Sequence, residues 1–209
     1  METVITSYCR ITNNCLIVNG KTVTIENKDA ITSFFSEIYK ILGISYPKFH
    51  KMDSMCKLGF LAAEAALKDS GFFERNNAND TGIVLTNRSS SLDTDKMHQK
   101  SINSLDAYLP SPSVFVYTLA NIVIGEIAIK NKITGENAFF VTNTFDPKLL
   151  VQQNNLLLNS GDVNALISGW VDYENNNADA LIYLAENLND SIKNINFKPL
   201  NEITLKQLY

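Results

Sequence analysis

The segment from Gly135 to Val171 limits the fold more than any other part of the chain. Ala138 to Thr142 is an apolar run of strand length. Asp146-Pro147 follows, and this pair starts helices. An Asp side chain caps the exposed amides of the first turn, and Pro at the first helical position gives up an amide that has no partner anyway. Leu149, Leu150, Leu156 and Leu157 then recur at helical spacing up to Gly161, a helix-stop residue. A second apolar run, Val163 to Val171, comes next. The segment reads as strand, turn, helix, strand. Such a unit buries its apolar faces only inside a layered α/β domain.

The rest of the chain agrees. Val4 to Ile11 reads as a strand, and Cys15 to Ile25 places two β-prone runs around Asn19-Gly20. Asn-Gly suits a type I′ hairpin turn because both central residues need positive φ. Asp29 is placed to cap a helix running to about Leu42 and stopped by Gly43. Asp53 is placed to cap a second helix, Ser54 to about Asp69, whose Ala62, Ala63, Ala65 and Ala66 permit close packing, with Gly71 as its C-terminal cap. Thr81 to Thr86 has the composition of a buried strand. Asn87 to Ser111 is polar and Ser-rich, a surface excursion with a short helix near Lys96 to Ser104. Asn121 to Lys132 reads as a mostly buried helix, and Ala180 to Ala185 as a further strand. The polar stretch after Asn187 reads as an extended or partly ordered tail. The expected fold is therefore α/β, a mixed sheet covered by helices, in one domain (residues 1–186) followed by a polar tail (187–209).

Composition closes off several function classes. At 209 residues the chain can bury a sizeable core, and 45% apolar with 19% charged residues is an ordinary globular balance. A net charge of -4 does not suit a nucleic-acid binder. No apolar run is long enough to span a membrane, and no secretory signal is visible. Cys9, Cys15 and Cys56 are odd in number and irregular in spacing. That pattern fits reduced thiols and a cytoplasmic protein, with neither a disulfide framework nor a zinc site. Asp93 and Asp95 beside Ser89, Ser90 and Ser91 lack calcium-loop spacing, so no metal is expected. No Gly-rich phosphate loop of Walker or dinucleotide type is present, so no cofactor is expected.

Three blocks, in order, resemble the N-terminal half of the β-ketoacyl synthases, condensing enzymes of the thiolase-like fold. The first is Lys51 to Gly71, with its Asp start and Ala-rich continuation. The second is Leu109 to Ile129, which includes Thr118-Leu-Ala-Asn121 and Gly125. The third is Gly135 to Trp170. Thr81-Gly-Ile-Val-Leu falls where the family has a strand between the first two. The resemblance implies one βαβαβαββ half of the family's two. Aligned without gaps between Gly135 and Gly161, the family's nucleophilic Cys falls on Thr144. Two further departures are Ala120 at the family's helix-start Pro and Glu136 after Gly135. The segment Asp179 to Glu186 resembles the strand that closes the N-terminal half, so the half that supplies the family's catalytic His pair is expected to be missing.

The residues agree with lost chemistry. An alcohol is far less acidic than a thiol and needs an adjacent base. The only histidines, His50 and His98, do not match the family's catalytic positions. Asp146 places negative charge where an oxyanion would develop. Thr144 and Asp146 could form a catalytic pair, but turn and cap roles already account for both. The resemblance further implies a dimer formed through the strand before the nucleophile, which makes Phe139, Phe140 and Val141 contact candidates.

The favoured expectation is a non-catalytic synthase-like partner, of the chain-length-factor kind, in type II fatty-acid, polyketide or aryl-polyene-type biosynthesis. It would pair with itself or with a ketosynthase and could meet an acyl carrier protein. The alternative is a synthase-related acyltransferase or hydrolase that uses Thr144 or is completed by a partner chain. A simple acyl-binding module built on the Phe- and Leu-rich stretch 139–158 is a third reading, although the same residues suit a core.

Overall fold

The computed structural model describes residues 2–13, 15–25, 30–103 and 110–209. The chain opens with three antiparallel strands, β1 (Thr3–Thr12), β2 (Cys15–Val18) and β3 (Lys21–Val23). The β2–β3 turn is the expected Asn-Gly hairpin, with φ of 50° at Asn19 and 80° at Gly20. Helix α1 (Ile31–Leu42) follows and stops at Gly43, whose φ of 67° lets its amide reach back to the Lys40 carbonyl. Its N-cap is Ala30, which makes no side-chain bond; Asp29, expected to cap it, lies outside the described residues.

Helix α2 (Ser54–Leu67) begins as expected, with Asp53 accepting a hydrogen bond from the Cys56 amide. Its small residues are buried against the sheet. Its end departs from expectation: the helix closes at Lys68. Gly71 instead adopts φ 63° at the start of the short helix α3 (Phe72–Arg75). The Ser70 hydroxyl on the Leu67 carbonyl holds the intervening turn.

Strand β4 (Thr81–Asn87) is buried along its whole length. The polar excursion after it carries more helix than expected. Helix α4 (Leu92–Ile102) starts well before Lys96, because Asp93 and Asp95 place negative charge in its first turn, where the helix dipole favours it. A short α5 (Pro112–Val116) and the buried α6 (Ile122–Asn131) lead to β5 (Asn137–Val141). Then come α7 (Pro147–Ser160), β6 (Ala165–Glu174) and β7 (Asn177–Asn187).

The strands form one mixed sheet in the order β3-β2-β1-β7-β6-β4-β5. Pairing is antiparallel from β3 to β6 and parallel across β6, β4 and β5. Helices α1, α2 and α6 build the larger core on one face, and α7 packs on the other. A buried polar triad fixes how α7 is seated. The Asn154 side-chain amide donates to the Tyr183 hydroxyl at 2.8 Å, and the Ser168 hydroxyl donates to the Asn154 carbonyl oxygen at 2.9 Å. Rotating α7 would leave buried donors unpaired.

The polar stretch after Asn187 is folded back onto the domain. A two-residue strand, β8 (Lys198–Pro199), pairs with β1 at Val4 and Ile5, and helix α8 (Glu202–Leu208) lies beside α7. Ile192, Leu200 and Leu205 anchor this stretch by burial, while Phe197, Ile203 and Tyr209 stay exposed. Among the described residues, no helix is long and apolar enough to cross a membrane.

Candidate functional site

In a sheet of this kind, sites form where parallel strands end at their carboxyl edge. Strands β4, β5 and β6 are the parallel set, and the turn holding Thr144 lies at their carboxyl edge. Pairing continues one residue past β5, with the Thr142 amide donating to the Asn87 carbonyl at 2.8 Å. The Thr142 hydroxyl donates to the Thr144 carbonyl at 2.9 Å. Asp146 then caps α7: its carboxylate accepts from the Leu149 amide at 3.0 Å, and its carbonyl accepts from Leu150 at 3.2 Å.

This capping decides what the turn can do. A helix N-terminus stabilises an anion through free first-turn amides. Here Pro147 has no amide to offer, and the Asp146 carboxylate occupies that of Leu149, while the Leu150 amide makes the ordinary first bond of the helix. The Asp146 carboxylate also puts a negative charge at this helix start, which opposes an anion binding there. Thr144 is exposed, and its hydroxyl has only a 3.5 Å contact to the Phe145 carbonyl. That contact is at the outer limit of a hydrogen bond. Among the described residues no histidine or carboxylate bonds to the Thr144 hydroxyl.

The histidines lie elsewhere. His50 is exposed and stands edge-on to Tyr39 and Phe49, while His98 packs against Phe115. The cysteines do not replace the nucleophile. Cys9 and Cys56 are buried, and burial pushes both thiols up, helped at Cys56 by the neighbouring Asp53 carboxylate. Among the described residues no His, Cys, Asp and Glu cluster could hold a metal ion.

The dimer candidates occupy a sheet edge. Among the described strands, β5 pairs only with β4, so its other side is free. Phe139 packs toward the α2 face and Phe140 toward the α7 face, each half-buried, while Val141 is 55% exposed. A free apolar edge strand is a template for pairing. A second apolar surface lies on α4, α5 and the loop beyond, where Met97, Phe115, Val116 and Leu119 are exposed.

Two features were not visible in the sequence. The first is a cavity of about 240 Å³ beside the start of α2, lined by Asp53, Met55, Ser91, Met97, Tyr117 and Tyr173 among others. No residue of the Thr144 turn lines it. Tyr117 donates to the buried Glu126, whose other oxygen faces Lys48 at 3.0 Å. Burial, then the Glu126 charge, raises the Tyr117 phenol well above its ordinary value. The second is a cluster over the Thr144 turn. Phe145 stacks on Tyr209 with ring centres 4.2 Å apart and meets Trp170 edge-on at 6.1 Å. Their partners are far apart in sequence, and no local pattern announces them.

Comparison with known proteins fits this geometry. The family model described as β-ketoacyl synthase, N-terminal domain, matches residues 24–144. No curated protein sequence matches the chain significantly. Among solved structures, the ishigamide ketosynthase/chain length factor superposes with a TM-score of 0.67 at 17% identity, covering 90% of this chain and 62% of that one. A type II polyketide synthase complex, AntDE with its acyl-carrier protein AntF, gives 0.63 at 13% identity, covering 88% and 62%. The ketosynthase ApeO in complex with its chain length factor ApeC, from Xenorhabdus doucetiae, gives 0.57 at 14% identity, covering 91% and 81%. The chain thus spans about three fifths of the length of the first two. At these identities the superpositions establish a shared fold, a thiolase-like mixed sheet flanked by helices. The matched segment covers more than half the chain, and the protein therefore belongs to the β-ketoacyl synthase family through its N-terminal domain.

Proposed function

We propose that this protein is a non-catalytic β-ketoacyl synthase-like partner, of the chain-length-factor kind, in type II fatty-acid, polyketide or aryl-polyene-type biosynthesis. One observation carries the reading: the Asp146 carboxylate takes the Leu149 amide at the start of α7, next to a Thr144 whose hydroxyl meets no base among the described residues. The strand–turn–helix frame of a condensing enzyme is kept, while Thr144 stands without an activating partner among the described residues and Asp146 is engaged in capping. The solved structures similar in fold include a ketosynthase with its chain length factor and a ketosynthase with its acyl-carrier protein. They support a role for this chain in the same kind of assembly, paired with itself or with a ketosynthase and within reach of an acyl carrier protein. On this reading residues 1–186 form the synthase-like domain, and 187–209 are an extension packed back on it. Three unpaired thiols suit a cytoplasmic setting.

Pairing is expected through the free edge of β5. Sedimentation of the purified protein, alone and with a ketosynthase from the same cell, should show a dimer or a one-to-one complex. Val141→Lys should shift either species towards monomer, since it sets a charge on the edge that must pair. A clean monomer at high concentration that also ignores the ketosynthase would sink the proposal. Equal dimerisation by the Lys variant would move the interface off β5.

A further inference from the structure

A remote segment closes over the Thr144 turn through one carboxylate. Asp179, on β7, is the hub. One of its oxygens accepts from the Trp170 indole at 3.1 Å and from the Tyr209 hydroxyl at 2.5 Å. The other pairs with the Arg10 guanidinium at 2.6 Å. Arg10 also lies over the Tyr209 ring, 4.5 Å from its centre, and its Nε donates to the Tyr209 backbone oxygen at 2.9 Å. Tyr209 in turn lies flat on Phe145, the residue after Thr144. Strands β1, β6 and β7 are thus tied to the end of α8, and through Phe145 to the turn.

The balance of contacts makes this closure reversible. At seven residues, α8 is too short to persist unless it is docked. Its fully buried anchor is Leu205, whereas Tyr209 is 43% exposed. The hold on Tyr209 is made of one carboxylate, one guanidinium and ring stacking, in a partly solvated place. Contacts of that kind open locally at far less cost than a core strand.

We infer that segment 201–209 is a latch, shut by the Arg10–Asp179–Tyr209 clasp, and that it covers the apolar strip of Phe145 and Trp170 beside Thr144. While the latch is shut, the Thr142–Asp146 turn is held through its Phe145 ring, which meets Tyr209 and Trp170. When it opens, Trp170 and Phe145 become accessible and the turn is freed.

Trp170 is the only tryptophan, so its fluorescence reports on the latch directly. Acrylamide quenching and site-resolved amide exchange would be measured on the full chain for wild type, Tyr209→Ala and Tyr209→Phe. Tyr209→Ala should increase quenching. It should also speed exchange at Leu149 and Leu150 about tenfold, as loss of a charge-assisted hydrogen bond implies. Tyr209→Phe keeps the stacking and should fall between the two. Salt near 1 M should act in the same direction on the wild type, because it screens the exposed side of the clasp. Unchanged quenching and exchange in both variants would overturn the latch. So would faster exchange spread evenly through β6 and β7, which would make Tyr209 an ordinary core residue.

Discussion

Replacing Arg75 with Met is expected to destabilise the protein by about 3–5 kcal/mol, the cost of stranding a buried charge. The stranded group would be Glu186, at the end of β7 and 1% exposed. Arg75 meets it with two nitrogens, Nη2 to Oε1 at 2.8 Å and Nε to Oε2 at 3.2 Å. Asn76 adds a bond of 2.6 Å to Oε2, and the Thr6 hydroxyl one of 2.5 Å to Oε1. This carboxylate joins β1, β7 and the turn after α3, so its loss should loosen the sheet on the side away from β5. The double variant Arg75→Met, Glu186→Gln should recover a large part of the loss, because no charge is then left unpaired. Urea denaturation followed by circular dichroism reads both. A loss below about 1 kcal/mol for Arg75→Met would show that water reaches Glu186 and that the pair acts as a surface ion pair.

Gly169→Ala should be comparably severe. Gly169 lies within β6 at φ 154°, and a Cβ there would fall on the Leu181 carbonyl of β7. Backbone cannot swing aside as a side-chain tip can, so β6 and β7 would have to part along their central register, where Gly169 faces Ile182. A loss of about 3 kcal/mol or more is expected, at the upper end for overpacking because the backbone itself must move. Trp170 is the next residue, so its fluorescence should shift along with the denaturation midpoint. A stability change under about 1 kcal/mol would mean that the two strands are more loosely paired at this point than the structure shows.

Local chemistry was the legible part of this chain. The Asn19-Gly20 turn, the Asp53 cap, the Asp146-Pro147 start and the Gly161 stop are short-range devices, and each stands where its residues imply. The α/β class followed from alternating strand and helix patterns. Strand order did not, since β1 pairs with β7 across most of the chain and no periodicity encodes that. Gly71 was misread because the left-handed turn it supplies serves α3 instead of α2. The start of α4 was missed because its residues are mostly polar and give little apolar period. The tail was misread for the same reason: Leu200 and Leu205 are isolated among polar residues, yet they are buried.

The site divided in the same way. Thr144 and Asp146 could be weighed from sequence because capping is local. The family resemblance located them, and the structure added that the Asp146 carboxylate takes the Leu149 amide. The Arg10–Asp179–Tyr209 clasp could not have been read, because its members lie at opposite ends of the chain and meet only through the sheet. The exposure of Val141, against the half-burial of Phe139 and Phe140, likewise depends on β5 lying at an edge.

The central claim is that the Thr144 turn holds a frame without its condensing chemistry. The direct measurement is intact mass after incubation with acyl thioesters and acyl carrier proteins, with and without a ketosynthase from the same cell. The account predicts an unmodified mass for this chain, no thioester hydrolysis by it alone, and acylation confined to the ketosynthase. An acyl adduct on this chain that maps to Thr144 and is lost in Thr144→Val would contradict it.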